Sequence, residues 1–501
     1  MKKQFILIVL SVLSLTAYAI VPPRSVADTA RYNELRRAME HAQAQRAPMR
    51  ETETCSQHSR VFPRVPVLMV NYADMSFRVS KADVDSMFNA EHFTRDGATG
   101  SVRKYFYDQS DGQYNPQFDI YGPVTVSHNY AYYGGTSKGG ELVLEACALL
   151  DNAIDFSLYD LDNDGYVDLT YAVYAGPPGS DAAGISRSWI SNPSSLIWPH
   201  YYVIDGSGTG GYARVFDGKT INAYEVSGEL DGFDSNETTT VMAGVGLACH
   251  EFGHGLGLPD LYTTNGGSQK TCGMWDVMDY GCYNNNVRTP AGYSAYERWF
   301  MGWKTPRLIH TAADITLTAL NAGGESLLIS PTGAHNMNGL NPAPTDFYLL
   351  ENRQPTGWDA YLPGHDLLIT HIRYNDAVWN ANQVNNTVEA MGVDIVEADG
   401  VKPTASQSGH YGKPGDTYPT GATSFTECVG YPVTDIRQVA NNQVLFRFMG
   451  GAATMDEVSI LPLEGDEEYF TLTGQPIRPE AAQHGIFIVR RNGQTTMIIK
   501  N

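Results

Sequence analysis

The sequence predicts an α+β protein: a mixed α/β domain over residues 61–304, a β-sandwich-like domain over 305–450, and a linker with a short β tail over 451–501. Three observations lead there. Strand-like and helix-like stretches alternate up to Trp303. Short alternating strands follow to Gly450, separated by turns rich in Gly, Pro, Asn and Asp. A last pair of apolar strands ends the chain.

The elements support this in order. Residues 1–19, MKKQFILIVLSVLSLTAYA, combine two lysines, an apolar run and Ala17-Tyr18-Ala19, the pattern of a secretory signal. No cysteine follows Ala19 to carry a lipid, and no later apolar run reaches the ~20 residues that span a bilayer. The chain is therefore expected to be secreted or held at the cell surface, without a transmembrane segment. Residues 20–60 are polar and charged and read as a leader or pro-segment with one helix over 29–44. VPVLMVNYADMSF (65–77) is the first convincing strand. ELVLEACALLDNAI (141–154) is an amphipathic helix, and LTYAVYAG (169–176) a strand ended by glycine. SNETTTVMAGVGLACHEFGHGL (235–256) reads as one long helix capped by Ser235 or Asn236. YSAYERWFMGW (293–303) is another helix. Beyond Lys304 come ITLTAL, SLLISP, FYLLENR, DLLITHIRY, VDIVEA and QVLFRFM as strands. In the tail, Arg490-Arg491-Asn492-Gly493 marks a hairpin turn.

The formal charge is −21 and hydrophobic residues make up 42% of the chain. A globular protein so acidic repels nucleic acid and anionic membranes, and is compatible with bound divalent cations. Export makes pairing accessible to the six cysteines, Cys55, Cys147, Cys249, Cys272, Cys282 and Cys428, whose connectivity the sequence does not fix. Cys272 with Cys282 is the first pairing expected. The absence of any C-x-x-C speaks against a cysteine zinc site.

HEFGHGLGLPD (250–260) concentrates the chemistry. Residues four apart share a helix face, so His250 and His254 can present their rings to one ion, with Glu251 placed to hold a water beside it as general base. A catalytic zinc needs a third protein ligand and one open position. Gly257 allows the chain to turn through positive φ, Pro259 prevents the helix from resuming, and Asp260 is thereby delivered to the metal. A second loop, YDLDNDGYVD (159–168), places Asp160, Asp162, Asp164, the Tyr166 carbonyl and Asp168 at the spacing of an EF-hand loop, with Gly165 at the turn. Position 12 is Tyr171 rather than Glu and a strand follows, so this is no EF-hand but a structural calcium loop. Its bland alternative is a solvated acidic turn.

Beyond these motifs, HEFGHGLGLPDLY with WDVMDYG resembles the immune inhibitor A-like family of secreted bacterial metalloproteases. GSVRKYFYDQSDGQYNPQFDIYGPVTV (100–126), FSLYDLDNDGYVDLTYAVYAG (156–176), IWPH (197–200) and SAYERWFMGW (294–303) look like family blocks in family order. The likeness covers about residues 88–303 and, more loosely, FYLLENRQPTGWDAYLPGHDLLITHI (347–372). It implies a metzincin-like zinc endopeptidase domain acting on proteins or peptides, with His250, His254 and Asp260 as ligands and Glu251 as base, and it favours calcium in the second loop. Within GMWDVMDYG (273–281), Met278 is similar to the methionine that floors metzincin zinc sites, and Tyr280 to a metal-proximal tyrosine able to bond the developing oxyanion. The rival reading is a non-catalytic surface binding protein on a protease scaffold, against which the intact Glu251 speaks. Residues 466–501 resemble the C-terminal sorting segments of secreted Bacteroidetes proteins.

Overall fold

The computed structural model describes residues 19–22, 24–25, 33, 62–134, 138–204, 209–265, 271–402, 412–452, 468–472, 474–478, 485–491 and 494–500. All but Ala19 of the signal expected over 1–19, and all but Asn33 of the helix expected over 29–44, lie outside the described residues.

The first layer is a six-stranded sheet. Its strands are β1 (Ala19–Ile20), β2 (Arg64–Asn71), β3 (Gln117–Thr125), β4 (Thr170–Tyr174), β5 (His200–Val203) and β6 (Ala223–Gly228), in the spatial order β1-β5-β6-β4-β2-β3. β3, β2, β4 and β6 run parallel. β5 is antiparallel to β6, and β1 is antiparallel to β5. Strands buried on both faces need continuous apolar runs, and VPVLMV in β2 and TYAVY in β4 supply them. Helix α1 (Lys81–Asn89) packs on the sheet and carries α2 (Val102–Gln109); α3 (Gly139–Leu150) and α4 (Gly246–Gly255) also pack on the sheet, and α5 (Ala295–Phe300) packs on the later strand Asp346–Arg353. α1 and α5 each start in a capping box, Ser80 with Asp83 and Ser294 with Glu297.

The helix expected over 235–256 is shorter: only 246–255 is helical. The preceding stretch contains Thr238, Thr239, Thr240 and Val241, whose branched Cβ atoms favour extended backbone. It pairs with 229–231 instead, through Ala243 N–H to Glu229 O and Asp231 N–H to Val241 O. Asn236, expected as a cap, accepts the N–H groups of Thr238 and Thr239 in a turn.

Residues 305–450 form two sheets. A five-stranded one contains β7 (Arg307–Leu308), β9 (Leu327–Ile329), β10 (Asp346–Arg353), β11 (Asp366–Arg373) and β12 (Val393–Ile395). A three-stranded one contains β8 (Ala313–Leu317), β13 (Val433–Val439) and β14 (Gln443–Phe448). The five-stranded sheet is buried on both sides. Phe347, Leu349, Leu368 and Ile372 join the core of the mixed domain, while Tyr348, Leu350, Leu367 and Ile369 join a second core shared with the three-stranded sheet. The tail strands β15 (Glu468–Phe470), β16 (Pro476–Ile477), β17 (Gly485–Arg491) and β18 (Gln494–Lys500) make a separate small sheet. In it Arg491 pairs with Gln494, as the expected hairpin requires.

Cys147, Cys249, Cys272, Cys282 and Cys428 are all buried and free, so the expected Cys272–Cys282 pairing is not made. The Cys272 thiol points away, toward the Val393 carbonyl of β12.

A buried ionic network ties the layers together. Arg353 on β10 bonds Asp359 through two nitrogens (2.9 and 2.6 Å), Glu351 (3.1 Å) and the carbonyl of Gly292 (3.0 Å). Removing one partner of such a network strands buried charge. Arg353→Met is expected to cost about 3–5 kcal/mol in equilibrium urea unfolding, and an unchanged midpoint would show that the network does not hold the layers.

Candidate metal centre

Helix α4 carries His250, Glu251 and His254 on buried positions and ends at once. Gly257, at φ +99°, lets its own N–H reach the His254 carbonyl and the Leu258 N–H reach back to the Gly253 carbonyl, a Schellman closure of the helix. The turn also aims the Leu258 carbonyl at His254, whose Nδ1–H donates to it at 2.8 Å. The Nδ1–H of His250 donates to the Val277 carbonyl, also at 2.8 Å. With each Nδ1 holding the proton, both Nε2 atoms carry lone pairs, and they lie 3.2 Å apart.

Asp260 completes the triangle. Its Oδ1 lies 3.2 Å from His250 Nε2 and 3.1 Å from His254 Nε2. Burial would raise the Asp260 carboxyl, but attraction to a protonated His254 or His250 ring and their hydrogen bonds outweigh it and hold it at about 2 in the metal-free site. With both Nε2 atoms unprotonated, the three lone-pair atoms at this spacing repel one another, so the triangle needs a proton or a metal ion to join it. Ligands about 2.0–2.1 Å from a tetrahedral zinc stand roughly 3.3 Å apart, so the donor set fits such an ion.

Under the helix, Met278 is fully buried with its sulfur against Gly253, where an added Cβ would come within 2.6 Å of Sδ. Its carbonyl accepts the Leu261 N–H at 2.9 Å, fastening the chain just past Asp260. Tyr280 is half-buried on the following turn, its ring 6.4 Å from that of Tyr283.

Several contributors escaped the sequence reading. Asn382 lies just past helix α6 (Asp376–Asn380). It donates to Asp260 Oδ2 and accepts the Asp260 N–H, both at 2.6 Å. Asn385 and Asn386 hold the Leu261 carbonyl and the Thr264 N–H from the same loop. The only local signal was the density of asparagine in NANQVNNT (380–387). Glu251 is fully buried. Burial pushes it well above the ordinary range, the charges of Asp260 and Glu225 add to this, and the nearby amides of Tyr201 and Val21 oppose it. Glu225, on β6, is likewise buried and raised by burial.

The second loop is arranged differently from its expectation. Carboxylate oxygens of Asp160, Asp162 and Asp168 gather within 4.8 Å of one another, without Asp164. The Asp164 carboxylate caps the Tyr166 N–H (2.9 Å), and the Lys219 ammonium pairs with Asp160. Gly165, at φ +93°, makes the turn, and its N–H also reaches Asp160.

Two helical histidines four apart, a third acidic ligand past a helix break and an adjacent buried glutamate define the kind of site found in metallopeptidases. Residues 72–305 match the family profile described as the immune inhibitor A peptidase M6 catalytic domain, so this stretch resembles the immune inhibitor A-like metalloproteases. Its relatives include the pre-pro-metalloprotease PrtV of Vibrio cholerae, 24% identical over 282 residues (48% of this chain, 29% of PrtV). Immune inhibitor A of Bacillus thuringiensis subsp. alesti is 26% identical over 280 residues (47% of this chain, 39% of that protein). The alignments thus span well under half of either relative.

Because Asn382 grips both the N–H and the carboxylate of a metal-facing residue, Asn382→Ala is expected to weaken metal binding by about 10–100-fold. Competition against a chromogenic chelator measures this, and parental affinity would show that Asp260 is positioned without it.

Proposed function

We propose that the chain is an exported zinc endopeptidase cutting peptide bonds of proteins. The observation that carries the reading is the convergence of His250 Nε2, His254 Nε2 and Asp260 Oδ1 beside the buried Glu251 carboxylate. Zinc held by the three ligands would polarise the scissile carbonyl and acidify a water. Glu251 holds that water, takes its proton and passes it to the leaving amine. A carboxylate raised by burial is suited to both halves of that transfer, because its affinity for the proton approaches that of the groups it serves. Met278 and Gly253 fix the height of the helix under the ligands, and Gly257 fixes the turn that delivers Asp260. Tyr280 is assigned the hydrogen bond to the developing oxyanion.

The metzincin-like assignment of 61–304 draws support from the helix, break and methionine turn in that order. Residues 305–450 act as a two-sheet support that clamps the Asp260 loop, and the sandwich-like reading rests on the core its sheets share. Export rests on the sequence of residues 1–19, and the tail sheet is proposed as a sorting address. In the 160–168 loop a calcium ion would take Asp160, Asp162 and Asp168 with the Tyr166 carbonyl, displacing the Lys219 ammonium.

Glu251→Ala is expected to abolish casein cleavage while zinc content stays at the parental level. Asp260→Ala is expected to lose zinc, since two histidines alone make a weak site. Hydrolysis by a zinc-loaded Glu251→Ala chain, or full zinc occupancy in Asp260→Ala, would overturn these roles. For the loop, melting of the parent chain should rise with calcium and fall with chelator, and Asp162→Ala should remove most of that difference. Identical melting curves would leave Lys219 as the loop's only counter-charge.

A further inference from the structure

The end of the expected signal and the start of the leader lie against the helix that carries His250 and Glu251. β1 pairs with the edge strand β5, Ala19 opposite Tyr201 and Ile20 opposite His200. Val21 follows, fully buried, with its N–H facing Glu251. The next contacts fall on main-chain oxygens: Trp198 Nε1 donates to the Val21 carbonyl at 2.9 Å, and the Tyr283 hydroxyl to the Pro22 carbonyl at 2.6 Å. Strand pairing and bonds to carbonyls are available to any extended peptide, whatever its side chains.

Arg24 breaks that indifference. Its guanidinium bonds Asp181 Oδ2 at 2.8 Å and Asp231 Oδ2 at 3.2 Å from two nitrogens, and lies 4.5 Å over the ring of Phe233. Both carboxylates are buried, and Asp181 Oδ1 has no hydrogen-bond partner. The carboxylates are built into the fold: Asp181 Oδ2 accepts the Gly232 N–H, and Asp231 Oδ1 accepts those of Phe233 and Asp234. The nearest fixed cation, Arg288, is committed to Asp234 at 2.7 Å and stands 3.9 Å from Asp231. Burial pushes Asp181 up to about 6 even with Arg24 beside it, so the pocket is short of positive charge without a guest.

We infer that Asp181, Asp231 and Phe233 form a substrate subsite that takes an arginine side chain three positions after the residue whose N–H faces Glu251. In-plane carboxylates with an aromatic ring over the face suit a planar guanidinium better than a compact ammonium, so arginine is preferred to lysine. The inference rests on the peptidase reading for the word substrate, but the binding it describes is measurable without hydrolysis.

The test uses the full chain carrying Arg24→Gln, which removes its own guest, and Glu251→Ala, which prevents cleavage. It is titrated by fluorescence polarisation with labelled Ile-Val-Pro-Pro-Arg-Ser and with the same peptide bearing Lys or Gln in place of Arg. The arginine peptide is expected to bind roughly tenfold tighter than the glutamine peptide, or better, with lysine between them. Adding Asp181→Asn with Asp231→Asn should erase the difference. Equal affinities, no binding of any peptide, or a preference that survives the asparagine changes would overturn the subsite. The peptide-side comparison needs no change in the pocket, so misfolding of the asparagine variants does not shelter the idea. Arginine-selective binding by a chain whose Glu251-intact form cleaves nothing would instead sink the peptidase reading and leave a peptide-binding cleft.

Discussion

Three lone pairs held within 3.2 Å of one another are the constraint around which the rest is arranged. Without a proton or a metal ion between them the three repel, so the fold must hold their directions by other means. Each imidazole is oriented by a carbonyl at its far nitrogen, one from the helix-ending turn and one from the strip before Met278. The carboxylate is held at both its N–H and its outer oxygen by Asn382. Every ligand therefore has a second contact that fixes its direction, which is how a site is kept ready for metal rather than assembled by it.

That need explains why residues 305–450 are not an appendage. Asn382 reaches Asp260 from 122 positions away, and it can do so only if the five-stranded sheet is rigidly placed against the mixed domain. The sheet achieves this by burying both faces. Phe347 and Leu349 point one way, Tyr348 and Leu350 the other, and each pair enters a different core. The sequence carries a signal for this: FYLL and DLLI are unbroken apolar runs, the pattern of a strand with no solvent face.

What was legible in the sequence was what the chain does over short distances. The spacing of His250 and His254, the break at Gly257 and the arrival of Asp260 are consequences of helix geometry and one glycine's freedom, and they could be read from eleven letters. Two local readings failed where a neighbour outbid the local preference. The long helix lost its first half because a run of Thr and Val found an extended partner in 229–231. Cys272 and Cys282, close in sequence, stay unpaired, and the Cys272 thiol turns to the Val393 carbonyl of β12. Asn382, Trp198, Tyr283 and the Asp181–Asp231 pair were illegible for a single reason: each acts on a residue more than a hundred positions away, except where the turn holding Asp231 closes on Asp181.

The leader's composition makes sense against the groove it occupies. Ile-Val-Pro-Pro-Arg contains two prolines, each of which removes a main-chain donor and keeps its acceptor. A groove that recognised N–H groups at those positions would reject it. This one instead presents donors to carbonyls, Trp198 Nε1 to that of Val21 and the Tyr283 hydroxyl to that of Pro22. Proline also pre-sets an extended backbone, so less conformational freedom is lost on docking. Stiffness and carbonyl contacts hold the segment down without regard to sequence. The single charged side chain among its five residues then meets the buried carboxylates of Asp181 and Asp231. In a protein of net charge −21, a long-range field would draw any cation to any face. Two buried oxygens and an aromatic ring on one guanidinium are a short-range, directional fit, and it is this fit rather than the overall charge that distinguishes arginine from the other basic side chains.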